Sequence, residues 1–171
     1  MVKHLLLLRH CKSSWNHPGL SDIDRPLNGR GIKASKVMGT YLAREDLWPD
    51  LILCSSARRT RETLANLEAH MENLVPTRIE QGIYDADRAD ILERVRDVSA
   101  DVSSVMVIGH NPTMQDTALD LIGAGDLEAR EDLYAKYPTG ALALLRLDCE
   151  HWRDVRSGAG FLERFICPRD L

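Results

Sequence analysis

A chain of 171 residues fits one domain, since domains typically run to roughly 100–200 residues. With 44% hydrophobic residues it can bury a core without relying on disulfides or metal. A formal net charge of −4 argues against a general nucleic-acid or anionic-membrane binder, so an anionic ligand must be held by local clusters of arginine or lysine.

Near the start, Leu5, Leu6, Leu7 and Leu8 form an apolar run that Arg9 and His10 end far short of the ~20 residues of a membrane span. The run is also too short for most signal-peptide cores, and no small-residue cleavage site follows it. A buried strand at residues 4–8 is the expectation. Further strands are expected at 51–54, 105–108, 141–147 and 161–166, with a weaker one at 78–81. Between them, a helix beginning near Gly29 carries Ala34, Val37, Met38, Tyr41 and Leu42 at helical spacing, with Asn28 as its N-cap. A second helix presents Leu64, Leu67 and Met71 on one face. A third presents Ile91, Val95 and Val98, and a fourth Met114, Ala118, Leu121 and Ile122. Short apolar runs alternating with helical patterns mark α/β architecture, here a single domain over residues 1–171. The cysteines Cys11, Cys54, Cys149 and Cys167 are scattered with no C-x-x-C pair, which argues against a zinc or disulfide framework and makes the cytoplasm the default compartment.

The longest irregular stretches are 11–27 and 123–139, and ordered loops above ~12–15 residues are usually functional or mobile. The second reads as a partly helical excursion whose Gly-x-Gly is too weak for a phosphate loop. Three expected strands run at once into polar residues: Arg9-His10, Ser55-Ser56-Ala57-Arg58-Arg59 and Gly109-His110-Asn111. In an open, mainly parallel sheet, ligands bind beyond the carboxyl ends of the strands. The last two segments also lead into helices, whose N-terminal amides favour anions. Two arginines and two histidines converging on one rim suit a phosphoryl group.

These residues also carry a family likeness. Residues 7–16 (LLRHCKSSWN) resemble the Arg-His-Gly signature of the histidine phosphatases, down to the Trp-Asn at its end. Residues 21–31 (SDIDRPLNGRG) look like the segment that follows it in the short, SixA-like phosphohistidine phosphatases. Residues 54–63 (CSSARRTRET) are similar to the family's second arginine motif, and 107–112 (VIGHNP) resemble its second histidine motif. The resemblance implies a phosphoglycerate mutase-like fold: three-layer α/β/α, with a mainly parallel sheet and helices on both faces. It implies His10 as a phosphoryl-accepting nucleophile, with Arg9, Arg59 and His110 holding the phosphoryl oxygens and Asn16 as a further donor. Arg25 is a candidate substrate contact. No metal or other cofactor is expected.

The physics of these groups agrees. Imidazole attacks phosphorus only through an unprotonated nitrogen, and neighbouring guanidinium groups disfavour imidazolium. The other ring nitrogen needs an acceptor that fixes tautomer and orientation. Guanidinium forks match phosphate bidentately. Three departures from the wider family stand out: Cys11 replaces a Gly or Ala, Lys12 stands where the mutases carry an acid, and no clear glutamate is present to protonate a leaving group. Glu80 and Asp85 lie in the right stretch without a convincing motif.

Each residue also has a plainer reading. Arg58 and Arg61 suit a solvated helix face or substrate steering, Asn28 a cap, Cys11 packing or a reactive thiol, and Trp15 packing or the mouth of the site. Competing functions are a metallohydrolase built on His10, His110 and nearby carboxylates, and a catalytically dead phosphoprotein-binding module. The first lacks an H-x-x-x-H or D-x-D cluster. The second would most simply have lost the Arg-His pair. Once the core elements are counted, little chain is left for a lid, so an open site is expected. That favours phosphohistidine presented by a partner protein over a small phosphorylated metabolite, with neither nucleic acid nor membrane as partner.

Overall fold

The computed structural model describes residues 1–171. Strand β1 (Lys3–Arg9) alternates its leucines between two environments: Leu5 and Leu7 enter one apolar cluster, Leu6 and Leu8 the other. A strand buried on both faces must be apolar throughout, which explains the unbroken leucine run. Burying each leucine contributes about 1.5–3 kcal/mol. Strands β2 (Leu51–Ser55), β3 (Thr77–Glu80) and β4 (Ser104–Gly109) extend the sheet on one side of β1. Strands β5 (Ile122–Gly125), β6 (Leu142–Leu147) and β7 (Gly160–Ile166) extend it on the other. The order is β3-β2-β4-β1-β6-β7-β5, and β6 alone runs against its neighbours, giving a mostly parallel seven-stranded sheet.

Helices cover both faces. On one, α1 (Gly29–Arg44) and α2 (Arg58–Glu68) pack Met38, Leu42, Leu64 and Leu67 against Leu6, Leu8, Ile52 and Ile108. On the other, α3 (Gln81–Tyr84), α4 (Arg88–Arg96), α5 (Thr113–Leu121) and α6 (Leu127–Ala135) enclose the larger cluster, which includes Ile83, Val95, Met114, Leu133 and Trp152. The three-layer α/β/α arrangement with helices on both faces is therefore the observed one. Asn28 caps α1, accepting a hydrogen bond from the Gly31 amide at 2.9 Å.

Several expected boundaries shift. The second and third helices stop before Met71 and Val98, and Gln81 opens α3 instead of closing a strand. Ile122 leaves the fourth helix to begin β5, an edge strand hidden in the stretch read as irregular. Its IGAG sequence shows no period-two pattern, because glycine serves close packing: a Cβ on Gly123 would strike the Gly158 carbonyl.

Candidate active site

The carboxyl ends of β1, β2 and β4 meet at one rim. His10 follows β1, Ser55 ends β2, and His110 follows β4. Backbone hydrogen bonds fix the nucleophile candidate on both sides: the His10 amide donates to Gly109 O at 3.0 Å, and the Gly140 amide donates to His10 O at 2.9 Å. A cavity of about 220 Å³ is lined by Arg9, His10, Arg25, Arg59 and His110, joined by Lys12, Ser13, Trp15, Asn111 and Thr139. No carboxylate lines it.

The imidazole of His10 is buried, with Nδ1 2.7 Å from the Cys11 carbonyl. A carbonyl only accepts, so Nδ1 carries the proton and Nε2 keeps its lone pair. The acceptor that sets the tautomer is thus the next residue's backbone. Burial, reinforced by His110, Arg59 and Arg9, pushes the His10 pKa down to about 3. The two histidine rings stand 5.3 Å apart between centroids. His110 Nδ1 lies 3.3 Å from Arg59 Nη2, a group that only donates, and Nε2 lies 2.7 Å from Ser55 Oγ. The neutral tautomer with hydrogen on Nε2 satisfies both contacts. Burial and then Arg59 hold His110 at about 4.

Arg59 sits in the first turn of α2, buried, with Nη1 donating to Asp22 O at 2.8 Å and Nη2 to an Asp22 carboxylate oxygen at 3.0 Å. Arg9 donates to Tyr137 O at 2.9 Å, and its pKa is lowered by burial and by Arg59. Both arginines keep a buried Nε–H with no partner. An unpaired buried donor is costly, and an anion's oxygen would satisfy it. Arg25 lines the same cavity while donating to Ser13 Oγ at 2.6 Å and Asp22 Oδ1 at 3.0 Å, with its guanidinium 3.5 Å from the centre of the Trp15 ring.

The remaining candidates stand elsewhere. Asn16 is exposed and does not line the cavity. Glu80 is taken up by Arg94 at 2.9 Å, and Asp85 is exposed at the end of α3. Arg58 is exposed and paired with Glu62 at 2.8 Å. The Cys11 thiol is buried and its pKa is pushed up to about 12, which makes it a packing group, not a reactive thiolate. No three His, Cys, Asp or Glu side chains stand close enough together to hold a metal ion.

Sequence reasoning passed over Asp22 and Tyr84. The Tyr84 hydroxyl donates to Asp22 Oδ2 at 2.6 Å, and its ring meets His110 edge-on with centroids 5.5 Å apart. That hydrogen bond, then Arg25 and Arg59, holds the Asp22 carboxyl at about 2. Asp22 lay inside the motif segment 21–31, but nothing local singles it out from Asp24. Ser13, Lys12 and Asn111 lay beside recognised motif residues. Thr139 carried no signal.

The sequence profile of the histidine phosphatase superfamily (branch 1) matches residues 5–99. The chain belongs to this superfamily. An uncharacterised protein of Mycobacterium tuberculosis strain H37Rv is 35% identical over 164 residues, 95% of this chain and 100% of the relative. Among solved structures, a Nakamurella multipartitia protein provisionally assigned as phosphohistidine phosphatase SixA superposes with a TM-score of 0.84 at 29% identity, over 98% of this chain and 97% of its own. One from Agrobacterium tumefaciens with the same provisional assignment gives 0.83 at 30% identity, over 97% and 98%. The matched stretch opens within β1, the strand that carries Arg9 and leads into His10.

Proposed function

We propose that this protein is a phosphatase that works without metal through a phosphohistidine intermediate on His10, and that its substrate is phosphohistidine on a partner protein. The unprotonated Nε2 of His10, set by the Cys11 carbonyl, attacks phosphorus. As the new nitrogen–phosphorus bond forms, the bond to the substrate's imidazole breaks, and that imidazole takes a proton from solvent. Water then attacks the phosphoryl group on His10, releasing inorganic phosphate and restoring the neutral ring. Arg9 and Arg59 hold the phosphoryl oxygens, His110 joins them by giving an oxygen the Nε2 hydrogen that Ser55 Oγ accepts in the free protein, and Arg25 adds a further cation to the cavity lining. Preorganised charge of this kind does most of the work in phosphoryl transfer.

The substrate preference rests on one observation: no carboxylate lines the cavity. Asp22 stands behind Arg59, but a carboxyl held at about 2 is ionised at neutral pH and has no proton to give. Alkyl esters need such a proton, worth roughly 10²–10⁴-fold in rate. Phosphohistidine and aryl phosphates leave without it. The provisional SixA assignment of the Nakamurella and Agrobacterium structures, at 29% and 30% identity, supports this reading over a metabolite phosphatase.

The test compares kcat/KM for a histidine-phosphorylated protein, an aryl phosphate and an alkyl phosphate, each with chelator present. The expected order is phosphohistidine and aryl first, alkyl far behind, all unaffected by chelator. Rapidly quenched enzyme should carry an acid-labile, base-stable phosphoryl group on the peptide containing His10, and His10→Ala should lose both adduct and turnover. An alkyl phosphate as the best substrate would replace this reading with a small-metabolite phosphomonoesterase.

A further inference from the structure

A second cavity, of about 480 Å³, shares Lys12 and Thr139 with the phosphoryl pocket. Its other cations are Arg30, Lys33 and Arg169, and Ala34 and Val37 of α1 contribute apolar lining. No aspartate or glutamate lines it. Four cations thus gather around one recess in a chain whose net charge is −4. Arg169 has a carboxylate only in the adjacent Asp170, at 3.8 Å, and Lys12, Arg30 and Lys33 form no ion pair. Some arginines elsewhere are matched, Arg58 by Glu62, Arg94 by Glu80, and Arg44 and Arg164 by Glu45, while Arg61, Arg78 and Arg130 form no ion pair either; what sets the recess apart is that four cations share one lining that holds no acid.

The placement is built into the backbone. The Lys12 carbonyl accepts the Asn28 amide at 3.0 Å, and a Cβ on Gly31 would strike that carbonyl. Lys12 is therefore pressed against the start of α1, close to Arg30 and Lys33. The first turn of α1 holds no acidic residue. Cations at the positive end of a helix oppose its dipole, so this arrangement costs stability instead of adding it. Across the recess, Thr139 is fixed relative to the nucleophile, because the neighbouring Gly140 amide donates to the carbonyls of both Arg9 and His10.

We infer that this recess binds the carboxylate side chains that flank the phosphorylated residue of an acidic partner protein. The inference rests on the phosphoprotein substrate proposed above and names the partner's chemistry. The recess adjoins the phosphoryl pocket and is about twice its volume. Its mixture of cations and apolar surface fits a polypeptide better than a compact metabolite. A polypeptide advancing ~3.3 Å per residue sets the neighbours of the phosphorylated residue beside the phosphoryl group, where the recess lies. Charge complementarity there speeds encounter and selects among partners.

The probes are two phosphohistidine peptides of equal length, one flanked by glutamates and one by glutamines, and the same pair carrying phosphotyrosine. In the wild type, kcat/KM should be about tenfold higher for the glutamate-flanked member of each pair at low salt, shrinking toward unity at about 0.5 M salt. Arg30 and Lys33 do not line the phosphoryl pocket. The double variant R30E/K33E should therefore reverse the preference while leaving the glutamine-flanked peptides within about twofold, and R30Q/K33Q should abolish it. Equal rates for the two flanks in the wild type, or a preference that survives both variants, would overturn the inference. If only the phosphotyrosine pair turns over and shows the preference, the recess stands and the phosphohistidine reading falls. If free aryl phosphate is hydrolysed but no peptide is, both fall.

Discussion

The rim and the loop over residues 11–28 build one site by different means. The rim residue His10 is held by sheet backbone and His110 directly follows β4, and their neighbours in β1, β2 and β4 are mostly buried leucines, isoleucines and valines. The loop reaches the site through side chains, with the exposed Asp22 on Arg59 and the buried Arg25 on the buried Ser13. In our reading the rim supplies the groups that meet phosphorus, and the loop supplies the negative charge that orients the rim's arginine. Rigid scaffolds with adjustable loops are a common division of labour. Here the division can be tested residue by residue.

The sharpest break should come at the rim. On the proposed mechanism Arg59→Ala removes a contact that strengthens in the transition state, so turnover should fall roughly 10²–10³-fold, as for a lost oxyanion donor. Arg58→Ala, one residue away but exposed and paired with Glu62, should change steady-state rates by less than about twofold, the scale of a surface ion pair. On the loop side, Asp22→Asn leaves Arg59 its bond to the Asp22 carbonyl but weakens the charged one. A loss of roughly tenfold in kcat with little change in KM is expected, the scale of one charge-assisted hydrogen bond. Tyr84→Phe removes only the hydroxyl that steadies Asp22, and should cost about two- to threefold. Equal losses for Asp22→Asn and Arg59→Ala would mean that the loop touches substrate directly.

The smallest expected effect is a near-absence of titration. At pH 5 an ordinary imidazole with a pKa of ~6.5 is almost fully protonated. His10 and His110, lowered to about 3 and about 4, should keep their neutral imidazole NMR shifts at pH 5 in the free protein. The same shifts link to stability. Between the unfolded value of ~6.5 and these folded values, the unfolded chain binds protons that the folded chain refuses. Stability is therefore full above ~6.5 and declines as pH falls through that window, and His10→Ala should flatten the decline in Tm.

The rim was legible in the sequence because strand-end chemistry is local: an apolar run followed at once by Arg9-His10 or by Gly109-His110 announces both the element and the group it carries. The six expected strands were read from the same apolar runs. β5 escaped because a glycine-rich edge strand has no hydrophobic period to detect. Asp22 escaped because its partner Arg59 is 37 residues away, and only the folded chain brings them together. The acceptor for His10 escaped because it is a backbone carbonyl, which every residue possesses.

Tyr137 has a consequence for how this protein can be divided. Its carbonyl receives both Arg9 Nη1 at 2.9 Å and Asn111 Nδ2 at 3.3 Å, and its buried hydroxyl donates to the carbonyl of Leu7 in β1. A fragment ending at residue 122 would hold every residue proposed to touch phosphorus, yet Arg9 would swing free and β1 would lose β6 as a neighbour. Catalytic heredity is thus spread over stretches that bear no motif. Drift near residue 137 should be read out as lost turnover, and a domain graft that keeps the signatures but trims this segment should yield an inert protein.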